Sequence, residues 1–216
     1  MLQVFGYLKR HQNCWLIVDS RDPILQGGSD SLNCDYGVLL KNQYPDAAEE
    51  IDADIPNPLI DEIQITAFVD SDHAHDLVTR RSITGLLIIL GRTPIYFQSK
   101  RQGAIATSTY GAEFCALRTA VEEVQAVRYM LRCLGVKVTQ ASLVCGDNKG
   151  VIQNCTIPDS LLKKKHVAIA YHRTREAAAA RMVHPIRISG HNNFADLCTK
   201  AIAGKIFWRL FGKLTR

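Results

Sequence analysis

The chain has 216 residues, 47% hydrophobic and 22% charged, which excludes a disordered chain, a collagen and a coiled coil and leaves room for one large domain, or one of ~150 residues with an extension. The longest aliphatic run, Leu86 to Leu90, falls far short of the ~18 residues of a membrane span, and the first ten residues hold no apolar core of signal-peptide length, so the sequence reads as soluble and intracellular. The net charge of +5 conceals a split: residues 1–62 carry 4 basic and 11 acidic side chains, net −7, and residues 63–216 carry 22 and 10, net +12, a basic body that suits a polyanionic partner.

In chain order, a short helix is expected first, then a strand around Cys14 to Asp19 and a turn at Gly27-Gly28-Ser29-Asp30. A weak strand is expected over 35–40. The stretch from Asp46 to Glu62, with Pro56 and Pro58, reads as an exposed acidic tether. Ile63, Ile65, Ala67 and Val69 alternate with Gln64, Thr66, Phe68 and Asp70, the period of a strand, and place Asp70 at its C-terminal end. Gly85 to Leu90, a turn at Gly91 to Pro94, and Ile95 to Ser99 form an antiparallel hairpin. A long helix follows over Thr109 to Leu134. Its apolar stripe runs Leu117, Ala120, Val124, Val127, Leu131, Leu134, with Gly135 as terminator. Extended backwards, the stripe reaches Glu113 and Tyr110. A strand over Ser142 to Cys145, helices near 148–155 and 164–180, a strand over Met182 to Ile188, a helix from about Asn193 and a last helix over Lys205 to Leu214 complete the pattern. The order describes an α/β mixed sheet with helices on its faces. The seven cysteines, none in a CxxC, read as reduced thiols. Trp15, Trp208 and Phe211 read as packing residues.

Only ten acids lie in residues 63–216, and four are placed suggestively. Asp70 and Asp147 end strands, Glu113 sits on an apolar helix stripe, and Asp196 opens a late helix. Strand C-termini and helix starts are where an open α/β sheet builds its site. Asp72 rivals Asp70 in position, Asp147 also suits a helix N-cap, Asp196 also suits a helix dipole, and Glu113 could be buried in a salt bridge. Clustered carboxylates repel and need cations, and hard oxygen ligands select Mg²⁺ or Mn²⁺.

Phe68-Val69-Asp70-Ser71-Asp72 followed by Arg80-Arg81-Ser82-Ile83-Thr84-Gly85 resembles the opening of the ribonuclease H domain of Ty1/copia-type LTR retrotransposon polyproteins. Further motifs of that family follow in order: Ser108-Thr109-Tyr110-Gly111-Ala112-Glu113-Phe114, Cys145-Gly146-Asp147-Asn148, Lys164-Lys165-His166 through Tyr171-His172, and Ala195-Asp196-Leu197-Cys198-Thr199-Lys200-Ala201. Residues 1–20, with Gly6-Tyr7-Leu8-Lys9-Arg10, resemble the tail of the reverse transcriptase upstream. The resemblance implies a ribonuclease H-like fold, a five-stranded mixed sheet in which an antiparallel three-strand meander is followed by parallel strands. It implies two domains, a reverse-transcriptase connection or tether remnant over 1–62 and a ribonuclease H-like domain over 63–216. It implies hydrolysis of the RNA strand of RNA/DNA hybrids by two Mg²⁺ ions, with Mn²⁺ as a substitute, held by Asp70, Glu113, Asp147 and Asp196, and it favours Asp70 over Asp72. His191 resembles the family's loop histidine, although only four residues separate it from Asp196. His73 stands where the family has Trp. Nucleic-acid contacts fall on Arg80, Arg81, Ser108, Asn148, Lys164, Lys165, His166, His172 and Arg173. The implied partners are an RNA/DNA hybrid and the upstream polymerase domain, with no membrane, in a cytoplasmic retrotransposon particle. A catalytically dead relic that only binds hybrids is the alternative. A strand-transfer enzyme is disfavoured because the next Glu after Asp147 is Glu176, in a basic helix.

Overall fold

The computed structural model describes residues 9, 12–13, 15–23, 25, 34–160, 162 and 165–215. Lys164, the turn at Gly27 to Asp30 and most of the expected first helix lie outside the described residues. The elements are α1 (Tyr36–Leu40), β1 (Ile65–Asp72), β2 (Ile83–Leu90), β3 (Thr93–Arg101), α2 (Thr109–Cys133), β4 (Ser142–Gly146), α3 (Lys149–Thr156), α4 (Ala168–Ala179), β5 (Val183–Arg187), α5 (Asp196–Thr199) and α6 (Gly204–Phe211). Short 3₁₀ turns at Lys165–Val167 and Gly190–Asn192 lead towards α4 and α5.

One five-stranded sheet has the order β3-β2-β1-β4-β5. β1, β2 and β3 form an antiparallel meander, and β4 and β5 run parallel to β1. This is the α/β mixed sheet expected. Pro185 is accommodated because β5 is an edge strand, where a missing N–H costs little. The β1 alternation sorts its side chains to two cores. Ile65, Ala67 and Val69 pack with Leu86, Ile88, Val144 and the α2 stripe from Leu117 to Leu131. Phe68 joins Leu87, Ile89, Ile186, Ala195 and Leu214 on the opposite face. Leu134, expected on the stripe, is exposed, because the helix ends at Cys133 and Gly135 turns away at φ +75°.

Three expectations are corrected. Residues 36–40 form a helix rather than a strand: the Asp35 carboxylate accepts the Val38 N–H at 3.2 Å, capping α1, and Leu40 is then fully buried in the α2 core. A five-residue apolar run carries too little periodicity to separate the two. The acidic stretch is exposed at most of its positions, as expected, but it is anchored at a few points. Ala47 is buried in the core, Glu49 forks onto Arg128 and Arg132, and the Glu62 carboxylate accepts from Thr139 and Gln140. Trp15 is exposed rather than packed, whereas Trp208, though partly exposed, packs along α6 against Phe207 and Phe211 as expected. Around the strand expected at Cys14 to Asp19, Leu16 makes only an isolated bridge to Thr215.

Candidate metal centre and active site

Asp70, Glu113 and Asp147 come from three separate elements and converge. Their carboxylate oxygens lie within 4.8 Å of one another. Asp70 sits within the last turn of pleat of β1, opposite Gly85 of β2. Glu113 projects from the first turns of α2, which Ser108 starts by accepting the Gly111 N–H at 3.2 Å. Asp147 follows β4. It is not the cap of α3, because the neighbouring Asn148 side chain accepts the Val151 N–H at 3.2 Å, which leaves the Asp147 carboxylate for the site. Asp70 is 2% and Glu113 8% exposed. Asp72, the positional rival of Asp70, is taken by His75 at 2.6 Å and stands outside this group.

Like charges in a buried place hold on to protons. Burial, and then the Asp70 and Asp147 carboxylates, push Glu113 up to about 8. Burial first and Asp70 second raise Asp147. Burial also raises Asp196, against an opposing hydrogen bond from Lys200.

Asp196, the fourth expected acid, is bridged to the group by a lysine. The Lys200 Nζ lies 2.8 Å from Asp196 Oδ1 and 3.0 Å from Asp70 Oδ2. Burial works against the Lys200 charge, yet these two carboxylates raise its pKa. The Thr199 hydroxyl donates to the same Asp70 Oδ2. Thr199 and Lys200 were not singled out as site residues. The signal available was their spacing, three and four residues after Asp196 on one helix face.

Two glycines and an asparagine fit α5 and its leading loop against the sheet. A Cβ on Gly85 would lie 2.4 Å from Thr199 Cγ2 and 2.7 Å from the Ala195 carbonyl, so α5 seats only over a residue without a side chain. A Cβ on Gly190 would lie 3.0 Å from Asp147 Oδ2, which places the 3₁₀ turn carrying His191 against the site. The fully buried Asn193 donates to the Val69 carbonyl at 2.9 Å and accepts the Ala195 N–H at 3.1 Å. His191 itself is exposed and lines an open hollow with Asp196, Lys200 and Arg209, and Arg209 donates to its carbonyl at 2.8 Å.

The expected nucleic-acid residues divide. Ser108 and Asn148 are helix caps beside Glu113 and Asp147. His166 meets Thr107 at 3.1 Å, at the mouth of α2, with the exposed Lys165 next to it. Arg80 is exposed and Arg81 half-buried in the loop after β1, where Arg80 has φ +56°. His73 of that loop reaches the Ala106 carbonyl at 3.0 Å. His172 and Arg173 point elsewhere: His172 bonds the Tyr44 hydroxyl at 2.7 Å, and Arg173 donates to Gln125 and pairs with Glu176 at 3.7 Å. Gln125 lies twelve residues from Glu113, ~18 Å along α2.

Three converging carboxylates are hard oxygen donors that a divalent cation neutralises, so the residues fit Mg²⁺ or Mn²⁺. Among the described residues no helix is long and apolar enough to cross a membrane.

No protein-family model matches the chain. Among solved structures, it is similar to the N-terminal RNase H domain of rv2228c from Mycobacterium tuberculosis, with a TM-score of 0.47 and 16% identity over 64% of this chain and 91% of that one. A second is LC11-RNase H1 in complex with an RNA/DNA hybrid, with a TM-score of 0.48 and 15% identity over 60% and 88%. In sequence it is 28% identical over 152 residues to the retrovirus-related Pol polyprotein from transposon RE1 of Arabidopsis thaliana, covering 70% of this chain and 10% of the polyprotein. It is 29% identical over 138 residues to that from transposon TNT 1-94 of Nicotiana tabacum, covering 64% and 10%. The chain therefore spans about a tenth of the length of these curated relatives. In sequence the chain is similar to part of the retrovirus-related Pol polyproteins of plant transposons, the class of polyprotein its motifs resemble.

Proposed function

We propose that this chain is a ribonuclease H module that hydrolyses the RNA strand of RNA/DNA hybrids with two divalent ions. The observation that carries the reading is the convergence of Asp70, Glu113 and the half-buried Asp147 from three elements into one group. The similarity to retrovirus-related Pol polyproteins of plant transposons supports it. Asp70, Glu113 and Asp147 would hold one Mg²⁺, and Asp70 with Asp196 a second. Bound there, the ions would acidify the attacking water and stabilise the departing oxygen.

The rest is done by the chain. Thr199 locks the Asp70 carboxylate in one orientation through its hydroxyl. The turn at Gly190 backs Asp147 and sets the exposed His191 imidazole at the open side, where it would pass a proton to solvent. Lys165, His166, Arg80 and Arg81 would meet phosphates, contacts that position a duplex without reading its bases. Residues 1–62 would belong to the connection from an upstream reverse transcriptase, and the whole would act in a cytoplasmic retrotransposon particle.

The test is cleavage of an end-labelled RNA/DNA hybrid in Mg²⁺ and Mn²⁺ by the chain and by its Asp70→Asn and Glu113→Gln variants. Cleavage confined to the RNA strand, leaving 5′-phosphate and 3′-hydroxyl ends, is expected. Each variant is expected to lose more than about a hundredfold, since even outer partners of metal ligands are worth 10–100-fold. Hybrid binding without cleavage, or product ends bearing 3′-phosphate, would overturn the reading.

A further inference from the structure

Asp70, Glu113 and Asp147 form one group, and Asp196 does not join it. Between Asp196 and Asp70 stands an ammonium instead, at 2.8 and 3.0 Å. We propose that Lys200 is a built-in, exchangeable counter-ion of the Asp70–Asp196 pair. It holds that pair together in the metal-free protein, leaves the first divalent ion to Asp70, Glu113 and Asp147, and must be displaced before a second ion binds. The proposal rests on the metal reading above and adds an order of loading with a residue that enforces it.

Charge supports the exchange. The four carboxylates carry four negative charges when ionised. Lys200 with one divalent ion leaves the site short by one charge. Two divalent ions balance it. Two ions with Lys200 still in place would overfill it, in a setting where burial magnifies each charge.

The donor geometry agrees. Asp70 Oδ2 already accepts from the Thr199 hydroxyl and from Lys200, so a metal ion reaching that oxygen competes with both. The hydroxyl is held on α5, fixed by the Gly85 contact, whereas the ammonium is at the end of a flexible stem.

Room to leave is also present. The Lys200 side chain is 43% exposed and borders the open hollow lined by Ala203, Ile206 and Arg209. Asp196 and Lys200 are four residues apart, so the ion pair can break without moving the backbone.

The experiment is calorimetric titration of the whole chain with Mn²⁺ as the only ligand, alongside its metal-free thermal midpoint. The unaltered chain is expected to take up one ion tightly and a second weakly. In Lys200→Met the second step tightens by about tenfold, while the first changes little. The metal-free midpoint of that variant falls and recovers with Mn²⁺. Lys200→Arg keeps the charge and keeps the second step weak. Should Lys200→Met not fold without metal, Lys200→Gln carries the same expectation, because it removes the charge and keeps a polar side chain beside the two carboxylates. A second step in Lys200→Met or Lys200→Gln that is unchanged or weaker, in a chain that otherwise titrates, overturns the role of Lys200 and leaves the metal reading standing. Asp147→Asn separates the two: it removes the tight first step if the three-carboxylate group binds metal. If neither the unaltered chain nor any variant takes up Mn²⁺, the metal reading fails and the Lys200 proposal fails with it.

Discussion

A carboxylate on an apolar helix stripe has to be paired, neutralised or given a cation. The stripe was visible from Leu117 to Leu131, and counting back placed Glu113 facing inwards, where it is 8% exposed. What counting could not supply is the company it keeps. Burial and the carboxylates of Asp70 and Asp147 lift it to about 8 from an ordinary 4.5. The folded metal-free protein therefore keeps a proton that the unfolded chain releases above about pH 4.5. It follows that stability without metal falls as pH rises from about 4.5 to about 8 and levels off above that. Thermal unfolding in a chelating buffer across this range checks it. Glu113→Gln is expected to flatten the fall, and an equally steep decline in that variant would refute the assignment. Asp70 and Asp72 teach the complementary lesson. Both stand on β1 two residues apart, and only the packing of α5 and α2 shows that Asp70 enters the site while Asp72 pairs with His75.

At the level of elements, periodicity and turn residues are legible in the chain, whereas a cap or a distant packing partner is not. β1 and α2 follow from period-two and period-3.6 patterns over eight and 25 residues, and β2 and β3 from an apolar run, a turn and its return. α1 leaves no periodic signal because its decisive features are one capping carboxylate, Asp35, and the burial of Leu40 in a core built by residues far away in sequence. The four-residue α5 carries Asp196, Thr199 and Lys200, and its position depends on Gly85 in β2. Gly85→Ala would drive a Cβ to 2.4 Å from Thr199 Cγ2 and 2.7 Å from a backbone oxygen, and backbone cannot yield as a side-chain end can. We expect a loss of about 1–3 kcal/mol in stability. We also expect a larger proportional loss of hybrid cleavage, because the Thr199 hydroxyl and Lys200 shift off Asp70 together. Urea unfolding and cleavage rates measured on one preparation decide this. Normal activity in a destabilised variant would mean that α5 does not position the site.

Across the whole molecule, the charge split between the two parts of the chain is resolved by contact. Glu49, from the acidic stretch, meets Arg128 at 2.7 Å and Arg132 at 2.7 Å, each through two nitrogens. Arg128 is 1% exposed, and its remaining donors go to Gln140 and Ser142. Bidentate forks of this kind are strong when both partners are present and costly when one is removed. Glu49→Gln is expected to cost about 3 kcal/mol, read from denaturant unfolding. Burial opposes the Glu49 charge, but the hydrogen bonds and charges of the two arginines prevail and lower it to about 2. Its contribution is complete above the ordinary value of 4.5 and is lost as pH falls towards 2, so the variant and the unaltered chain should converge in stability at acid pH. A gap that stays constant down to pH 2 would assign the loss to packing instead.

Local pattern is enough for the class of fold and the inward face of α2 with Glu113 on it, because periodicity and turn residues are properties of neighbouring residues; it leaves Asp70 and Asp72 level. The convergence of Asp70, Glu113 and Asp147, the lysine between Asp70 and Asp196, and the docking of residues 34–62 were decided only in three dimensions. Each joins groups from tens of residues apart, and whether a charge there meets a cation, another carboxylate or water depends on which surfaces the packed core brings together.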